Sequence, residues 1–467
     1  MDDSQQQKEK MTDEIFTLNN DTICAISTPH GTGGIAIVRI SGNNAIDIVD
    51  TIWKGKKLAD VKSHTAHLGT LTDNHGNPID QALATIFRAP NSFTGEDVVE
   101  LGIHGSRWLQ KEILNILINA GARIAEHGEF SQRAFKAGKL DLSQVEAVAD
   151  LIASTSRASH RAAINQLRGS VSERIETMRQ DLLKLAALIE LELDFSEEDV
   201  EFASRKELIE TAQTVENNIS DLLQSFTAGN AIKNGVPIAI IGPTNAGKSS
   251  LLNALLGDDK AIVSDIHGTT RDVIEDTLEI GDYLVRFKDT AGLRETDNQI
   301  EQLGIKKTTK EAQNADIVLY VIDPTNPVSA TQKAKDIQNI EKHRIIEILN
   351  KTDLTDTIPP VSQNAIRISA KTGEGIENLR KEITSKIETL DGNPTGQTII
   401  TSVRHAQALR NALTSIKATR QALSQNVSGD FVAQDLRETI HHLSTITGHI
   451  TTPEILQTLF SAFCIGK

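Results

Sequence analysis

Gly242-Pro243-Thr244-Asn245-Ala246-Gly247-Lys248-Ser249 follows the apolar run Val236 to Ile241 and precedes Leu251-Leu252-Asn253-Ala254-Leu255-Leu256. This is G-x-x-x-x-G-K-[ST] between a strand-like and a helix-like segment, the context a phosphate-cradling loop requires. Its glycines let backbone N–H groups turn inward around phosphate oxygens, and the next helix N-terminus adds partial positive charge. Lys248 is placed to reach the β- and γ-phosphates, and Ser249 to put its hydroxyl on Mg²⁺. Asn245, Ala246, Gly247 and Ser250 belong to the same cradle.

Downstream, four more elements follow in the order a GTPase needs. Gly268-Thr269-Thr270-Arg271-Asp272 supplies a switch threonine for Mg²⁺. The strand-like Leu284 to Lys288 ends in Asp289-Thr290-Ala291-Gly292, where Asp289 can hold Mg²⁺ through water and the Gly292 N–H can meet the γ-phosphate. Ile345 to Leu349 ends in Asn350-Lys351-Thr352-Asp353, whose Asp353 carboxylate suits the N1 and N2 donors of guanine. Adenine has no such donor pair, and a site built to hydrogen-bond rejects ligands that leave it unpaired. Ser369-Ala370-Lys371, after Ile366 to Ile368, closes over the base.

The hydrolytic part departs from the familiar pattern. Where a glutamine commonly orients the attacking water, this chain has Leu293, which has no hydrogen-bonding group. Either hydrolysis is slow, or another acid and another positive charge act; Glu295 and Glu301, with Arg271, Arg294 or a bound cation, are the candidates.

A chain of 467 residues has room for roughly three domains at about 150 residues each. With 24% charged and 39% apolar residues, it reads as globular, and no apolar run reaches the length of a membrane span. Met1 to Asn20 has no apolar core and reads as a disordered tail, not a signal peptide. Two cysteines, Cys24 and Cys464, fit a reducing, cytoplasmic setting. A net charge of −15 disfavours strong unaided binding to nucleic acid.

Strand-like Thr22 to Ser27 and Ile35 to Ile40 flank a Gly-rich turn, and alternating elements to about Leu140 make an α+β domain. Arg39, Glu100, His104 and Lys139 are its chemically notable residues, although periodicity alone does not bring them together. Beyond Lys139, Ser143 and Glu146 stand at capping-box spacing. The stripe Leu167, Val171, Ile175, Met178, Leu182, Leu185, Ile189 is read as bundle core, and a further helix is expected over Arg205 to Phe226. Helical patterns resume at His405 to Leu423, Phe431 to Leu443 and Pro453 to Phe463. The predicted fold is multidomain α/β and α: a tail (1–20), an N-terminal α+β domain (21–140) and a discontinuous helical domain (141–232 and 391–467). An inserted P-loop GTPase domain with a mostly parallel α/β sheet (233–390) interrupts the helical one.

From Asp21 to Lys467 the sequence resembles the MnmE (TrmE) family of tRNA-modification GTPases. The resemblance is carried by the phosphate loop, Gly268 to Asp272, Asp289 to Glu295, Gly128-Glu129-Phe130, Arg133-Ala134-Phe135, and Leu140-Asp141-Leu142 leading to Glu146 to Asp150. Most specific is the terminal Phe463-Cys464-Ile465-Gly466-Lys467. Glu126-His127-Gly128 stands where the family has a basic residue, Pro and Gly, and Gly102-Ile103-His104 also departs from its usual form.

The resemblance implies a homodimer whose N-terminal domain binds 5-formyltetrahydrofolate or a related folate, with Arg39, Glu100, Lys139 and Lys467 on folate-contacting positions. It implies K⁺ as the missing positive charge, held by Asn245 of the phosphate loop and by Ser264, Ile266 and Thr269, these three in a loop over the nucleotide that also includes Asp265 and His267. Mg²⁺ falls to Ser249 and Thr270, the water-positioning acid to Glu301, and a role in the modification chemistry to Cys464. The expected activity is GTP hydrolysis that, with a flavin-dependent partner of the MnmG (GidA) type, adds a carboxymethylaminomethyl group to carbon 5 of the wobble uridine of certain tRNAs. tRNA would be reached mainly through that partner. A ribosome-assembly factor or a non-catalytic GTP switch is the alternative; no KH-type clamp with basic flanks favours the former.

Overall fold

The computed structural model describes residues 21–194, 204–257, 276–287, 312–326, 330–355, 365–391, 398–425, 427–461 and 463–466. The chain forms two compact units, Met1–Ala149 with Ser444–Lys467, and Asp150–Leu443.

The first unit opens with β1 (Ile23–Ile26), β2 (Ile35–Ser41), α1 (Ala45–Ile52), β3 (Trp53–Lys54), β4 (Thr65–Thr72), β5 (Pro78–Phe87), β6 (Val98–His104), α2 (Arg107–Asn119) and β7 (Arg123–Ile124). These strands make a seven-stranded sheet in the order β3-β4-β5-β6-β2-β1-β7. Alternation decides which side is covered: Ala36, Val38, Ile40, Ala82, Ala84, Ile86, Val99, Leu101 and Ile103 are buried with the apolar faces of α1 and α2. The intervening residues, Arg39 and Glu100 among them, lie on the opposite face. Antiparallel register sets those two directly across from each other on β2 and β6.

Next come α3 (Glu129–Lys136) and α4 (Leu142–Ala153). The reciprocal cap at the start of α4 is not the Ser143/Glu146 pair suggested by spacing. The Gln144 N–H donates to Asp141 Oδ1 (2.9 Å) and the Asp141 N–H to Gln144 Oε1 (3.0 Å). Aspartate accepts at an N-cap as well as serine does, so the helix begins two residues earlier and Ser143 is buried inside it.

The second unit continues with α5 (Arg157–Leu167), α6 (Ser170–Asp194) and α7 (Arg205–Asn234). The stripe expected as one helical face is divided: Leu167 ends α5, whereas Val171, Ile175, Met178, Leu182, Leu185 and Ile189 are buried along α6. Helix α7 runs eight residues past Phe226, straight to the strand that leads into the phosphate loop.

That strand is β8 (Val236–Ile241), followed by α8 (Lys248–Leu256), β9 (Asp276–Ile280), β10 (Tyr283–Phe287), β11 (Ile317–Ile322), α9 (Ala330–Asp336), β12 (Ile345–Leu349), β13 (Ile366–Arg367) and α10 (Ile376–Asp391). The sheet order is β13-β12-β11-β8-β10-β9. All neighbours pair parallel except β10 with the edge strand β9. From β8 the chain goes to one side for β9 and β10 and to the other for β11 to β13. The order therefore reverses at β8, where open α/β sheets place their ligands beyond the strand carboxyl ends. All six residues of β8 are buried, as a strand covered on both faces must be.

Helix α11 (Val403–Ser424) packs along α7, and Arg420 Nε donates to the largely buried Glu216 carboxylate (2.6 Å). Helices from both sides of the sheet domain thus share one bundle. Helix α12 (Gly429–Thr447) follows, then α13 (Pro453–Ser461), whose Leu456 and Phe460 pack with Phe463 on Leu142 and Val145.

Candidate nucleotide site

The phosphate loop connects β8 to α8 with Gly247 as N-cap at φ 91°. A Cβ there would run into the Asn350 Nδ2 atom, so this glycine answers both to left-handed backbone and to a close approach. Asn245 is also left-handed (φ 64°), a conformation asparagine tolerates better than most residues. Because the cap has no side chain, the first-turn amides of α8 face the mouth of the loop, an arrangement that receives anions.

Lys248 Nζ donates to the carbonyls of Gly242 (2.9 Å) and Pro243 (2.8 Å) and so curls back under the loop. Burial pushes its pKa down, and the nearby Asp336 carboxylate opposes that.

The base side is built from strand ends. Asn350, buried at the end of β12, donates from Nδ2 to the Ala246 carbonyl (3.0 Å) and accepts at Oδ1 from the Ala370 N–H (3.0 Å). One amide therefore ties the phosphate loop to the loop after β13. Lys351 Nζ donates to the Asn245 carbonyl (2.7 Å) and to Asp323 Oδ2 (2.6 Å). Ser369 Oγ, fully buried, donates to Asp353 Oδ1 (2.7 Å) and holds that exposed carboxylate in one direction. Lys371, two residues beyond Ser369, is exposed.

Of the residues singled out from sequence, the structure brings together Asn245, Ala246, Gly247, Lys248, Asn350, Lys351, Asp353, Ser369 and Ala370, with Ser249 and Ser250 in the first turn of α8. Ser264, Asp265, Ile266, His267, Gly268, Thr269, Thr270, Asp289, Thr290, Ala291, Gly292, Glu301 and Lys467 lie outside the described residues. Asp323 was not singled out. Its signal was a carboxylate directly after the apolar strand Ile317 to Ile322, at the strand end where β12 also places Asn350.

In the first unit, Arg39 donates from Nε to Glu100 Oε1 (2.9 Å), and its guanidinium carbon lies 5.6 Å from the ring centres of both Phe93 and Phe130. Arg39 also donates to the Gly466 carbonyl (3.4 Å), as does Ser27 Oγ (3.2 Å). The tail is pinned there: Ile465 bridges to His127, His127 Nδ1 is 2.8 Å from the Phe463 carbonyl, and a Cβ on Gly466 (φ 99°) would strike the Ile26 carbonyl. Cys464 is exposed within this held segment. Lys139 is exposed, its stem against Gly95. His104 instead pairs with Asp80 (2.6 Å).

A phosphate loop clamped to an N-K-x-D loop, at the reversal point of a mainly parallel sheet, defines a P-loop domain of the GTPase class, inserted in a helical frame. The model of the MnmE helical domain matches residues 142–464, and that of the GTP-binding protein TrmE N-terminus matches residues 22–139. The tRNA modification GTPase MnmE of Parabacteroides distasonis is 49% identical over 462 residues, 96% of this chain and 100% of that protein. Its counterpart in Bacteroides fragilis is 47% identical over 468 residues, 96% of this chain and 100% of that one. The solved G domain of the T. maritima FeoB iron transporter aligns with 33% of this chain and 98% of its own at 26% identity and a TM-score of 0.25. The chain belongs to the MnmE family of tRNA modification GTPases.

Proposed function

We propose that this protein binds and hydrolyses GTP and, with a flavin-dependent partner of the MnmG type, installs a carboxymethylaminomethyl group on carbon 5 of the wobble uridine of certain tRNAs in the cytoplasm. The observation that carries the nucleotide reading is Asn350, which bonds the phosphate loop and the base loop at once. Asp353 reads the guanine edge from its Ser369 anchor, Lys351 covers the base, and Ser369, Ala370 and Lys371 close the site. Lys248 and the amides from Asn245 to Ser250 take the phosphates. The tRNA step is supported by family membership.

The donor types in the sequence suit the ions this chemistry needs. Ser249 offers a hydroxyl beside the lysine for Mg²⁺, with Thr270 and Asp289 as further donors and Gly292 meeting the γ-phosphate. Mg²⁺ would offset charge on the transferring group. Asn245 presents a neutral amide from a left-handed position at the loop rim, the donor type an alkali cation takes; Ser264, Ile266 and Thr269 would complete the K⁺ site, with Asp265, His267 and Gly268 in the same loop. Glu301 would orient water where Leu293 cannot. In the first unit the Arg39–Glu100 pair, next to the partly exposed Phe93 ring, suits a planar heteroaromatic such as the folate pterin, with Lys139 and Lys467 as further contacts. Leu68 and Leu83, opposite each other on the sheet face away from α1 and α2, are 63% and 51% exposed with Ile35 at 73%, which supports a homodimer through this unit.

GTP turnover is expected to fall at least about ten-fold when Na⁺ replaces K⁺, since one well-placed charge contributes that much or more to phosphoryl transfer. Asn245→Gly keeps the left-handed backbone, removes the amide, and should abolish the difference between the two salts. Equal single-turnover rates for the wild type in K⁺ and Na⁺ would remove the K⁺ assignment.

Cys464→Ser changes volume little at an exposed position, so stability and GTP turnover should stay near normal. The wobble uridine should nevertheless stay unmodified in cells carrying that variant. Normal modification there would make Cys464 a bystander.

A further inference from the structure

The carboxylate of Asp323 is 11% exposed and stands where β11 ends, one residue beyond the Ile322 carbonyl that accepts the Asn350 N–H. Its Oδ1 accepts from the Thr325 N–H (2.8 Å) and Thr325 Oγ1 (2.6 Å), and its Oδ2 from Lys351 Nζ (2.6 Å). The same ammonium donates to the Asn245 carbonyl. Among the described residues four non-glycines have positive φ, and this contact joins two of them, Asn245 at 64° and Lys351 at 60°. Left-handed backbone at such residues costs free energy and persists where surrounding contacts over-determine it. Burial alone would raise the Asp323 pKa, but the Lys351 ammonium and both Thr325 donors outweigh it and hold the group below the usual carboxylate range.

We infer that Asp323 is a positioning residue for the nucleotide site: it fixes Lys351 so that a single ammonium holds the base loop and the left-handed Asn245 of the phosphate loop in one geometry. Asp323 touches no nucleotide in this scheme and acts through Lys351. The inference rests on the GTP reading above. Base selection stays separate, because Asp353 is anchored by Ser369 and not by this pair.

Asp323→Asn keeps the shape and the acceptor for Thr325 and removes the charge facing Lys351. A hydrogen bond to a charged group is worth about ten-fold or more in an equilibrium constant. Titration of fluorescent GDP should therefore show affinity about ten-fold weaker in Asp323→Asn. The K⁺ concentration for half-maximal turnover should rise as Asn245 loses its hold, and the preference for GTP over xanthosine triphosphate should stay unchanged. Lys351→Gln should weaken GDP binding at least as much, and adding Asp323→Asn to it should cost little more, because coupled residues are not additive. If Asp323→Asn folds poorly, the comparison of the double variant with Lys351→Gln still decides: a further ten-fold loss of affinity overturns the inference. So does GDP binding within two-fold of wild type in Asp323→Asn, whatever its melting temperature. Failure of the wild type to bind GDP or GTP would overturn the GTP reading, and this inference with it.

Discussion

Asp353→Asn is expected to turn a GTP-selective site into one that prefers xanthosine triphosphate. In the proposed site two N–H donors on the guanine edge would meet the Asp353 carboxylate, and two charge-assisted bonds are together worth on the order of 10² to 10⁴ in affinity. An asparagine presents one acceptor and one donor, so it repels the guanine amino group and matches the xanthine carbonyl at that position. The variant is well posed because Ser369 Oγ donates to Asp353 Oδ1, and an asparagine oxygen can accept the same bond. Competition of GTP, ATP and xanthosine triphosphate against fluorescent GDP measures the change. A variant that keeps the parent's preference for GTP would show that Asp353 does not read the base.

Lys248→Met is expected to lower single-turnover GTP hydrolysis by about 10²- to 10³-fold, the usual cost of losing one preorganised donor to the transferring group. Stability should change far less. The ammonium is partly buried against two carbonyls, and its lowered pKa records the cost of desolvating it. Replacing a buried charge by an apolar chain of similar length is often neutral or stabilising. Melting of the nucleotide-free variant near the wild-type temperature, together with the lost turnover, separates catalysis from folding. Retained turnover would remove Lys248 from the machinery.

The nucleotide domain was legible because its signals are local. A strand, a glycine-bearing turn and a helix start fall within a few residues of Gly242, and Asn350 to Asp353 and Ser369 to Lys371 each sit just past an apolar strand. What was not legible is contact across the fold. Asp323 meets Lys351 only because β11 and β12 pair in parallel and end at the same level. Arg39 meets Glu100 through antiparallel register between residues far apart in sequence, which periodicity in either strand does not encode. At the start of α4 two capping patterns overlapped, and local chemistry could not rank Asp141/Gln144 above Ser143/Glu146. The tail read as family-specific, but its place beside Ser27, Arg39 and His127 depends on α13 returning to α3.

The central claim, that GTP hydrolysis at this site serves modification of tRNA, is tested most directly by nucleoside analysis of the wobble position in cells lacking the protein. The expected result is loss of carboxymethylaminomethyl from the wobble uridine, restored by the wild-type chain and not by Lys248→Met. Wobble uridine that stays fully modified without the protein, or is restored equally well by Lys248→Met, would contradict it.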